Sequence, residues 1–366
     1  TLISRAHAKG IKVHLCLISF SDAVNNVVLP SASLRTKTIQ NLRSLVNAYG
    51  ADGVNIDIEG MDADRREDLN AFIQELSVEI PEIVIATPAV DWNDAYDYQM
   101  LSNYADLFIM GYDYHWSGGD PGPVDPLFGG HPWGDFAINW TVDDYLSLGV
   151  PTERLILGLP LYGRSWSTLD SSIPGTSTGN SDSILMYEAL EIVSTDGHLF
   201  DMVTESPYIL YPNEQIWFPN VESVESRVLW ANDQDLQGVG FWALGYENGV
   251  SDFWTMMEAA TSSGDIDNPE DPDTPPMPDK ETMKYIALKK SLGEEISDEL
   301  KPVEQRGRLT LKQALERVIK EKELNNLSDK GIYKYTRASE LFHAYNSKKD
   351  VYVHAITRGN TRDFIY

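Results

Sequence analysis

Hydrophobic and polar positions in the first 261 residues follow two alternating patterns. Short apolar runs predict strands, and longer segments with apolar residues three and four positions apart predict helices. The predicted strands are residues 12–20, 55–59, 83–88, 106–112, 154–161 and 238–244. The predicted helices are residues 36–49, 66–80, 141–148 and 221–232, preceded by a helix end at residues 2–9. Apolar strands that alternate with helices are typical of a parallel sheet covered on both faces.

One predicted strand, within the segment Ala51–Gly60, carries polar side chains on one face. At a period of two its side chains form an apolar and a polar set: Val54, Ile56 and Ile58 against Asn55, Asp57 and Glu59. Ionisable groups are rarely buried unless they are paired, so these polar groups need an explanation. An exposed strand with solvated charges is the alternative, and the apolar face and short length of the strand disfavour it.

This strand resembles the active-site strand of glycoside hydrolase family 18, the chitinases and their relatives. The family pattern is Asp-Gly-x-Asp-x-Asp-x-Glu, and this chain reads Asp-Gly-Val-Asn-Ile-Asp-Ile-Glu from Asp52 to Glu59, with a departure at Asn55. Three later segments resemble further motifs of the family in the same order. They are Met-Gly-Tyr-Asp at 110–113, Gly-Leu-Pro-Leu-Tyr-Gly-Arg at 158–164 and Gly-Phe-Trp-Ala-Leu-Gly-Tyr at 240–246.

The resemblance implies an α/β fold of the (β/α)₈ TIM-barrel type. Barrels of this type place their active site at the carboxyl ends of the strands, where the motif residues lie in the predicted strands. A doubly wound sheet is the competing architecture, and no Gly-x-Gly-x-x-Gly follows a predicted strand. The resemblance also implies a small α+β insertion between strands seven and eight. Strand-like pieces at residues 208–211 and 215–218 fit such an insertion.

The family's mechanism implies a role for each matching side chain. Glu59 would be the general acid and then the general base, Asp57 would orient the substrate acetamido group, and Tyr112 would donate a hydrogen bond to its oxygen. Trp242 would form an apolar floor under the sugar. The remaining residues expected to bind substrate are Asn55, Met110, Asp113, Tyr162 and Arg164.

Asn55 changes the electrostatics of the predicted site. An aspartate at this position could share a proton with its neighbour and raise a carboxyl pKa, whereas asparagine does not titrate. An amide can still donate a hydrogen bond to Asp57. Family branches that act on peptidoglycan-type glycans also carry asparagine here. The resemblance is therefore still to an enzyme, but it does not specify which glycan is the substrate.

The expected function is retaining, substrate-assisted hydrolysis of β-1,4 linkages in N-acetylglucosamine-containing glycans, chitin or chitooligosaccharides. One alternative is a peptidoglycan-directed N-acetylglucosaminidase. Another is a non-catalytic glycan-binding barrel. Lectin-like relatives usually lose the acid of the motif, and Glu59 is retained here, which favours catalysis.

Charge divides the chain into two parts. Residues 1–279 hold 11 of the 29 basic residues and 43 of the 56 acidic ones, while residues 280–366 are basic overall. An acidic body repels nucleic acid and anionic membranes, so a neutral polysaccharide is the expected partner.

No apolar run approaches the roughly 18 residues of a membrane helix. The single cysteine, Cys16, forms no internal disulfide. No metal or cofactor motif is present, and we expect a monomer that acts outside the cell or at the cell envelope.

The predicted domains are a partial catalytic barrel at residues 1–261, a linker rich in Pro, Asp and Glu at 262–280, and a basic, mainly helical region of unassigned function at 281–366. Only residues 12–20 form a strand before the active-site strand, which is the fourth in the family. The first two βα units are therefore predicted to be missing, and the record to be N-terminally incomplete. Open apolar edges invite aggregation, so the 366 residues alone should express poorly or show little activity. The alternative is that the tail, through residues 351–356, fills the gap.

Overall fold

The computed structural model describes residues 1–261; the predicted linker and C-terminal region lie outside the described residues. The strands are β1 His14–Ser19, β2 Gly53–Ile58, β3 Ile83–Pro88, β4 Asp106–Met110, β5 Leu155–Pro160, β6 Tyr162–Ser167, β7 Asp182–Leu185, β8 Leu199–Asp201, β9 Ser206–Tyr211, β10 Glu214–Trp217 and β11 Gly238–Trp242. The helices are α1 Leu2–His7, α2 Asp22–Val28, α3 Ala32–Tyr49, α4 Arg66–Glu79, α5 Tyr98–Ser102, α6 Ile138–Ser147, α7 Met186–Asp196, α8 Val221–Asp233 and α9 Ser251–Thr261.

The predicted parallel sheet is confirmed. Six strands lie in the order β1-β2-β3-β4-β5-β11, and each neighbouring pair is parallel. Val54 and Ile56 of β2 are fully buried and belong to the same apolar cluster as Phe72 and Ile73 of α4. The apolar face of the motif strand therefore packs into the core, and the alternating pattern of β2 follows from that packing.

The long segment between β5 and β11 forms a second, antiparallel sheet with the strand order β7-β6-β10-β9-β8, accompanied by α7. This matches the predicted α+β insertion. Tyr162 and Arg164, which follow the predicted strand at residues 154–161, lie on β6 of this sheet, where Arg164 pairs with Trp217. The apolar run at residues 155–161 does not indicate that the chain passes from one sheet to the other, because β5 ends at Pro160 and β6 begins only two residues later.

Several boundaries differ from the prediction. The strand predicted to reach Tyr112 ends at Met110, since the amide of Gly111 donates to the carbonyls of Ile109 and Gly158 and the chain turns. A Cβ on Gly111 would lie 2.8 Å from the Gly158 oxygen, so the close approach requires glycine. Four helices were not predicted: α2, α5, α7 and α9. The two shortest, α2 and α5, span too few turns to give a periodic signal.

Charged side chains at the amino ends of the strands are paired with one another. Glu82 receives hydrogen bonds from Lys12 at 2.8 Å and lies 2.8 Å from the His14 ring nitrogen. Asp106 pairs with Arg154 at 2.7 Å and accepts from Gln237 at 2.9 Å. The strands of the parallel sheet are thus tied together at the end opposite the motif residues.

A buried ion pair joins the long loop after β4 to helix α8. The guanidinium of Arg227 lies 2.6 Å from the Asp125 carboxylate, and both side chains are buried. Arg227 also donates to the carbonyls of Glu205 at 2.9 Å and Ser223 at 2.8 Å, and to the Ser206 hydroxyl at 3.0 Å. Burial raises the pKa of Asp125 to about 6 even though Arg227 favours the charged form.

The edge strands of the parallel sheet, β1 and β11, are less buried than the central strands. Ile18 of β1 is 55% exposed and Trp242 of β11 is 51% exposed, whereas Ile109 and Leu157 of the central strands are fully buried. In the described residues the sheet therefore ends in two accessible edges.

Candidate active site

The polar motif residues meet at the carboxyl ends of the parallel strands. Asp57 lies near the end of β2 and Glu59 directly follows that strand, while Tyr112 and Asp113 follow β4, two strands away in the sheet. The charges of Asp57, Glu59 and Asp113 are among the causes that raise the pKa of the Tyr112 hydroxyl. The predicted grouping of these residues is thus present, and their catalytic and binding roles remain predictions.

Asp57 and Glu59 form an acidic pair in which Asp57 is buried and Glu59 is half-buried. Asp57 is 8% exposed, and its Oδ1 atom is buried without a hydrogen-bond partner within the protein. Burial raises the pKa of Asp57, although a hydrogen bond with Glu59 opposes this shift. Burial also raises the pKa of Glu59, and the Asp57 charge, the shared hydrogen bond and the Asp113 charge add to the effect. The arrangement favours a protonated Glu59 beside an ionised Asp57, the states that an acid and an acceptor require.

Tyr112 completes the inner part of the site. Burial and the three neighbouring carboxylates raise the pKa of its hydroxyl, so the group stays a hydrogen-bond donor over the physiological pH range. Its ring meets the Tyr162 ring edge-on with 6.1 Å between centroids. This contact restricts the orientation of the Tyr112 ring.

Arg164 holds Asp113 through two parallel hydrogen bonds. Its Nε donates to Oδ1 at 3.0 Å and its Nη2 to Oδ2 at 2.9 Å, and its guanidinium carbon lies 5.8 Å from the Tyr162 ring centre. Asp113 has a φ of 58°, a left-handed conformation that is unfavourable for a residue with a side chain. Arg164 therefore stabilises a strained aspartate at the edge of the site.

The Asn55 amide does not make the expected hydrogen bond to Asp57. Its Nδ2 donates to the Cys16 sulfur at 3.2 Å, across the β1–β2 register in which these two residues are paired. Alternate residues of a strand are about 6.6 Å apart, so a partner across the sheet is nearer to the amide than Asp57 is. This leaves Asp57 Oδ1 available to a ligand.

The other candidate side chains are spread more widely. Met110 is the half-buried last residue of β4, and Trp242 is half-exposed at the end of β11, the opposite edge of the sheet from β1. Four further tryptophans could extend a groove on sequence grounds. Trp133, Trp166 and Trp217 are buried and pack within the protein, whereas Trp92 is 75% exposed.

Sequence reasoning missed two buried side chains that touch the backbone around Glu59. Asn25 of α2 donates to the Glu59 carbonyl at 3.0 Å, and Tyr96 donates to the Ile58 carbonyl at 2.7 Å. Neither lies in a recognisable motif. The only available signal was that both follow strands whose carboxyl ends meet at the site.

Asn55→Asp should shift the pH dependence of any turnover. Glu59 must be protonated to act as an acid, so activity is lost as the pH rises through its raised pKa. A third carboxylate on the strand raises that pKa further, and the alkaline limb should move up by roughly one pH unit. The measurement is a pH–rate profile on an N-acetylglucosamine oligomer, with Asn47→Asp on the exposed face of α3 as the control. Superimposable profiles for Asn55→Asp and the parent would contradict the expected coupling.

No group of three or more His, Cys, Asp or Glu side chains within residues 1–261 is arranged to hold a metal ion. The same residues contain no helix that is both long and apolar enough to cross a membrane.

Comparison with known proteins places the motifs in context. The family described as "Glycosyl hydrolases family 18" matches residues 5–247. The chain is 29% identical over 248 residues to the "Putative sporulation-specific glycosylase YdhD" of Bacillus subtilis, which covers 62% of this chain and 54% of that protein. It is 28% identical over 289 residues to the "Probable chitinase 2" of Drosophila melanogaster, covering 67% of this chain and 57% of that protein. The chain thus spans about half the length of the curated relatives it matches.

A solved structure shares the fold. The Ostrinia furnacalis Group IV chitinase, solved in complex with allosamidin, superimposes with a TM-score of 0.66 at 21% identity, covering 72% of this chain and 82% of that one. The family match spans well over half of the sequence and includes the acidic pair on β2 and the Tyr112–Asp113 turn after β4. The chain therefore belongs to glycosyl hydrolases family 18.

Proposed function

We propose that this protein hydrolyses β-1,4 linkages in N-acetylglucosamine-containing glycans, with chitin or chitooligosaccharides as the first substrate class. The observation that carries the proposal is the acidic pair: Asp57 has an unpartnered carboxylate oxygen, beside a Glu59 whose pKa is raised. A buried acceptor with no partner favours a ligand that brings a donor, such as the N–H of an acetamido group.

In the proposed mechanism Glu59 donates its proton to the departing glycosidic oxygen. The acetamido oxygen of the substrate attacks the sugar carbon and forms an oxazolinium, while Asp57 accepts a hydrogen bond from the acetamido N–H and stabilises its developing positive charge. Tyr112 donates to the acetamido oxygen and orients it. Glu59, now ionised, then removes a proton from the attacking water, and the β configuration of the product is retained.

The substrate is expected to extend beyond one sugar. Trp92 presents an exposed ring that Phe136 supports edge-on at 5.0 Å, and Phe136 is supported in turn by Trp140 at 4.7 Å. The adjacent Asn93 donates to the Met61 carbonyl at 3.0 Å, two residues beyond Glu59. An exposed aromatic face on a loop that is bound to the turn beyond Glu59 suits stacking on the C–H face of a neighbouring sugar.

A peptidoglycan-directed N-acetylglucosaminidase is the second candidate. Asn55 favours it, through the resemblance to family branches of that type, and so does the name of the sporulation-specific glycosylase among the relatives. Both substrates are polymers found outside the cytoplasm, so either activity fits an extracellular or cell-envelope location. A glycan-binding barrel without turnover remains the third candidate.

Turnover assays separate these candidates. The purified 366-residue protein is incubated with chitohexaose and, separately, with peptidoglycan, and the products are identified by mass spectrometry. We expect slow cleavage of chitohexaose, since the accessible edges of the sheet should leave the 366-residue protein with little activity, and the new reducing end should first be seen as the β anomer by proton NMR. Faster cleavage of peptidoglycan would favour the second candidate, binding without turnover the third, and an initial α anomer would refute the substrate-assisted mechanism.

We also infer that the six parallel strands belong to an eight-stranded barrel. The sequential strand order and the exposure of β1 and β11 support two further strands between these edges. The oligomeric state of the 366-residue protein then depends on whether these two edges are covered, and analytical ultracentrifugation measures that oligomeric state.

A further inference from the structure

The backbone around Glu59 is held from two sides by buried side chains that no motif identifies. We propose that Asn25 and Tyr96, which we call the Glu59 clamp, are positioning residues that fix the backbone of the general acid. This inference rests on the proposed function, since it concerns the same acid. It adds residues from two segments outside the motifs.

Asn25 is 2% exposed and acts on the far side of Glu59. Its Nδ2 donates to the Glu59 carbonyl at 3.0 Å, and its Oδ1 accepts from the Ser19 hydroxyl at 2.6 Å. The Ser19 carbonyl in turn accepts from the Glu59 amide at 3.0 Å. Both polar groups of the Glu59 peptide backbone are therefore bound to a short unit made of the end of β1 and α2.

Tyr96 acts on the near side. Its hydroxyl donates to the Ile58 carbonyl at 2.7 Å, one peptide before Glu59. The loop that carries Tyr96 is itself tied down, because Arg66 donates to the Tyr96 carbonyl at 3.2 Å and forms an ion pair with Asp94. Two consecutive carbonyls of the catalytic strand, those of Ile58 and Glu59, are thus fixed by separate side chains.

The turn after Glu59 shows why this support is needed. Gly60 has a φ of 69°, so the chain leaves the strand sharply just beyond the acid. A Cβ at Gly60 would lie 2.8 Å from the Asp22 carboxylate, which places the start of α2 directly against the turn. Glu59 lies outside the ladder of β2 and would otherwise share the mobility of a turn. A displacement of the acid by 1 Å can lower turnover by about 100-fold.

The test replaces each clamp residue in the 366-residue protein. Asn25→Leu keeps the number and branching of the side-chain heavy atoms and removes both hydrogen bonds, and we expect kcat to fall about 10- to 100-fold with KM changed less than about twofold. Asn220→Leu is the matched control: this buried asparagine accepts from the Ser223 amide at 2.8 Å at the start of α8, and its described hydrogen bonds do not reach the motif strand. It should lower the melting temperature and leave kcat unchanged.

A second variant and a second readout keep the proposal falsifiable. Tyr96→Phe removes a single hydroxyl and should lower kcat several-fold even if Asn25→Leu does not fold. The Glu59 carboxyl is also titrated by ¹³C NMR, with Glu59→Gln identifying its signal. Loss of the clamp should lower the pKa of Glu59 towards its ordinary value, because burial is the main cause of the present shift.

The outcomes are distinct. If the parent protein cleaves no glycan, the proposed function fails, while the NMR titration still tests the clamp. If folded Asn25→Leu and Tyr96→Phe keep the parental kcat and the parental Glu59 titration, the two residues are structural only and the proposal is wrong.

Discussion

Glu59→Gln should lower the turnover of N-acetylglucosamine oligomers by about 10²- to 10⁴-fold, the usual contribution of a general acid. The amide is nearly isosteric with the carboxyl group and cannot deliver a proton to the leaving oxygen. Glu59 is half-buried beside Asp57 and Asp113, whose charges raise its pKa. Replacing this one carboxyl group should therefore leave the fold intact, and the melting temperature measured beside the kinetic assay checks this.

Glu67→Gln provides the control for this variant. Glu67 is an exposed carboxylate in the first turn of α4 and is not among the groups that shift the pKa of Asp57 or Glu59. Its replacement should leave turnover within about twofold of the parent. Binding of chitohexaose to Glu59→Gln, measured by calorimetry, should persist. A Glu59→Gln protein with parental turnover would show that another group is the acid.

Arg227→Met should lower the free energy of unfolding by about 3–5 kcal/mol, because it leaves the Asp125 carboxylate buried without its cation. The carbonyls of Glu205 and Ser223 lose their donors as well. The measurement is urea unfolding of the 366-residue protein followed by tryptophan fluorescence.

The loss should depend on pH in a defined direction. The pKa of Asp125 in the folded protein is about 6, above its ordinary value of 3.8. Such a group favours the folded state when protonated, and that contribution is lost as the pH rises through about 6. Removing Arg227 raises this pKa further, so the destabilisation should be larger at pH 8 than at pH 5.

Arg43→Met is the matched control for the buried pair. Arg43 forms an ion pair with Glu79 on the protein surface, where both side chains are substantially exposed. Exposed pairs contribute about 0–1 kcal/mol, so this variant should be nearly as stable as the parent. Equal effects of the two arginine substitutions, or no pH dependence for Arg227→Met, would contradict the role of the buried pair.

The sequence predicted the elements whose signal is local. The strand β2 has its apolar and polar faces encoded at a period of two, and Asp57 and Glu59 lie where that period places them. The parallel sheet followed from apolar strands that alternate with helices. The motif at the turn after β4 was also visible in the sequence. The strand was nevertheless predicted two residues too long, because Gly111 fits an apolar strand pattern although the chain turns there.

The contacts of the site could not be predicted in the same way. Asn55 bonds to Cys16, and Arg164 bonds to Asp113, because these partners lie across a sheet or between two sheets. Such pairs depend on register, which no local pattern of Asn55 or Arg164 specifies. Asn25 and Tyr96 could not be predicted for the same reason. They donate hydrogen bonds to backbone carbonyls, and every residue has such a carbonyl whatever its side chain.

The two ends of the parallel sheet differ in a way that matters for directed evolution of this protein. At the amino ends Glu82 and Asp106 are paired with cations, so few substitutions there can improve the fold. At the carboxyl ends Asp57 keeps an unpartnered buried oxygen and Asp113 a left-handed backbone. Substitutions that relieve these features should raise thermal tolerance and impair chemistry together. A library ranked by heat resistance alone would therefore be enriched in inactive clones, with their changes concentrated around Asp57 and Asp113.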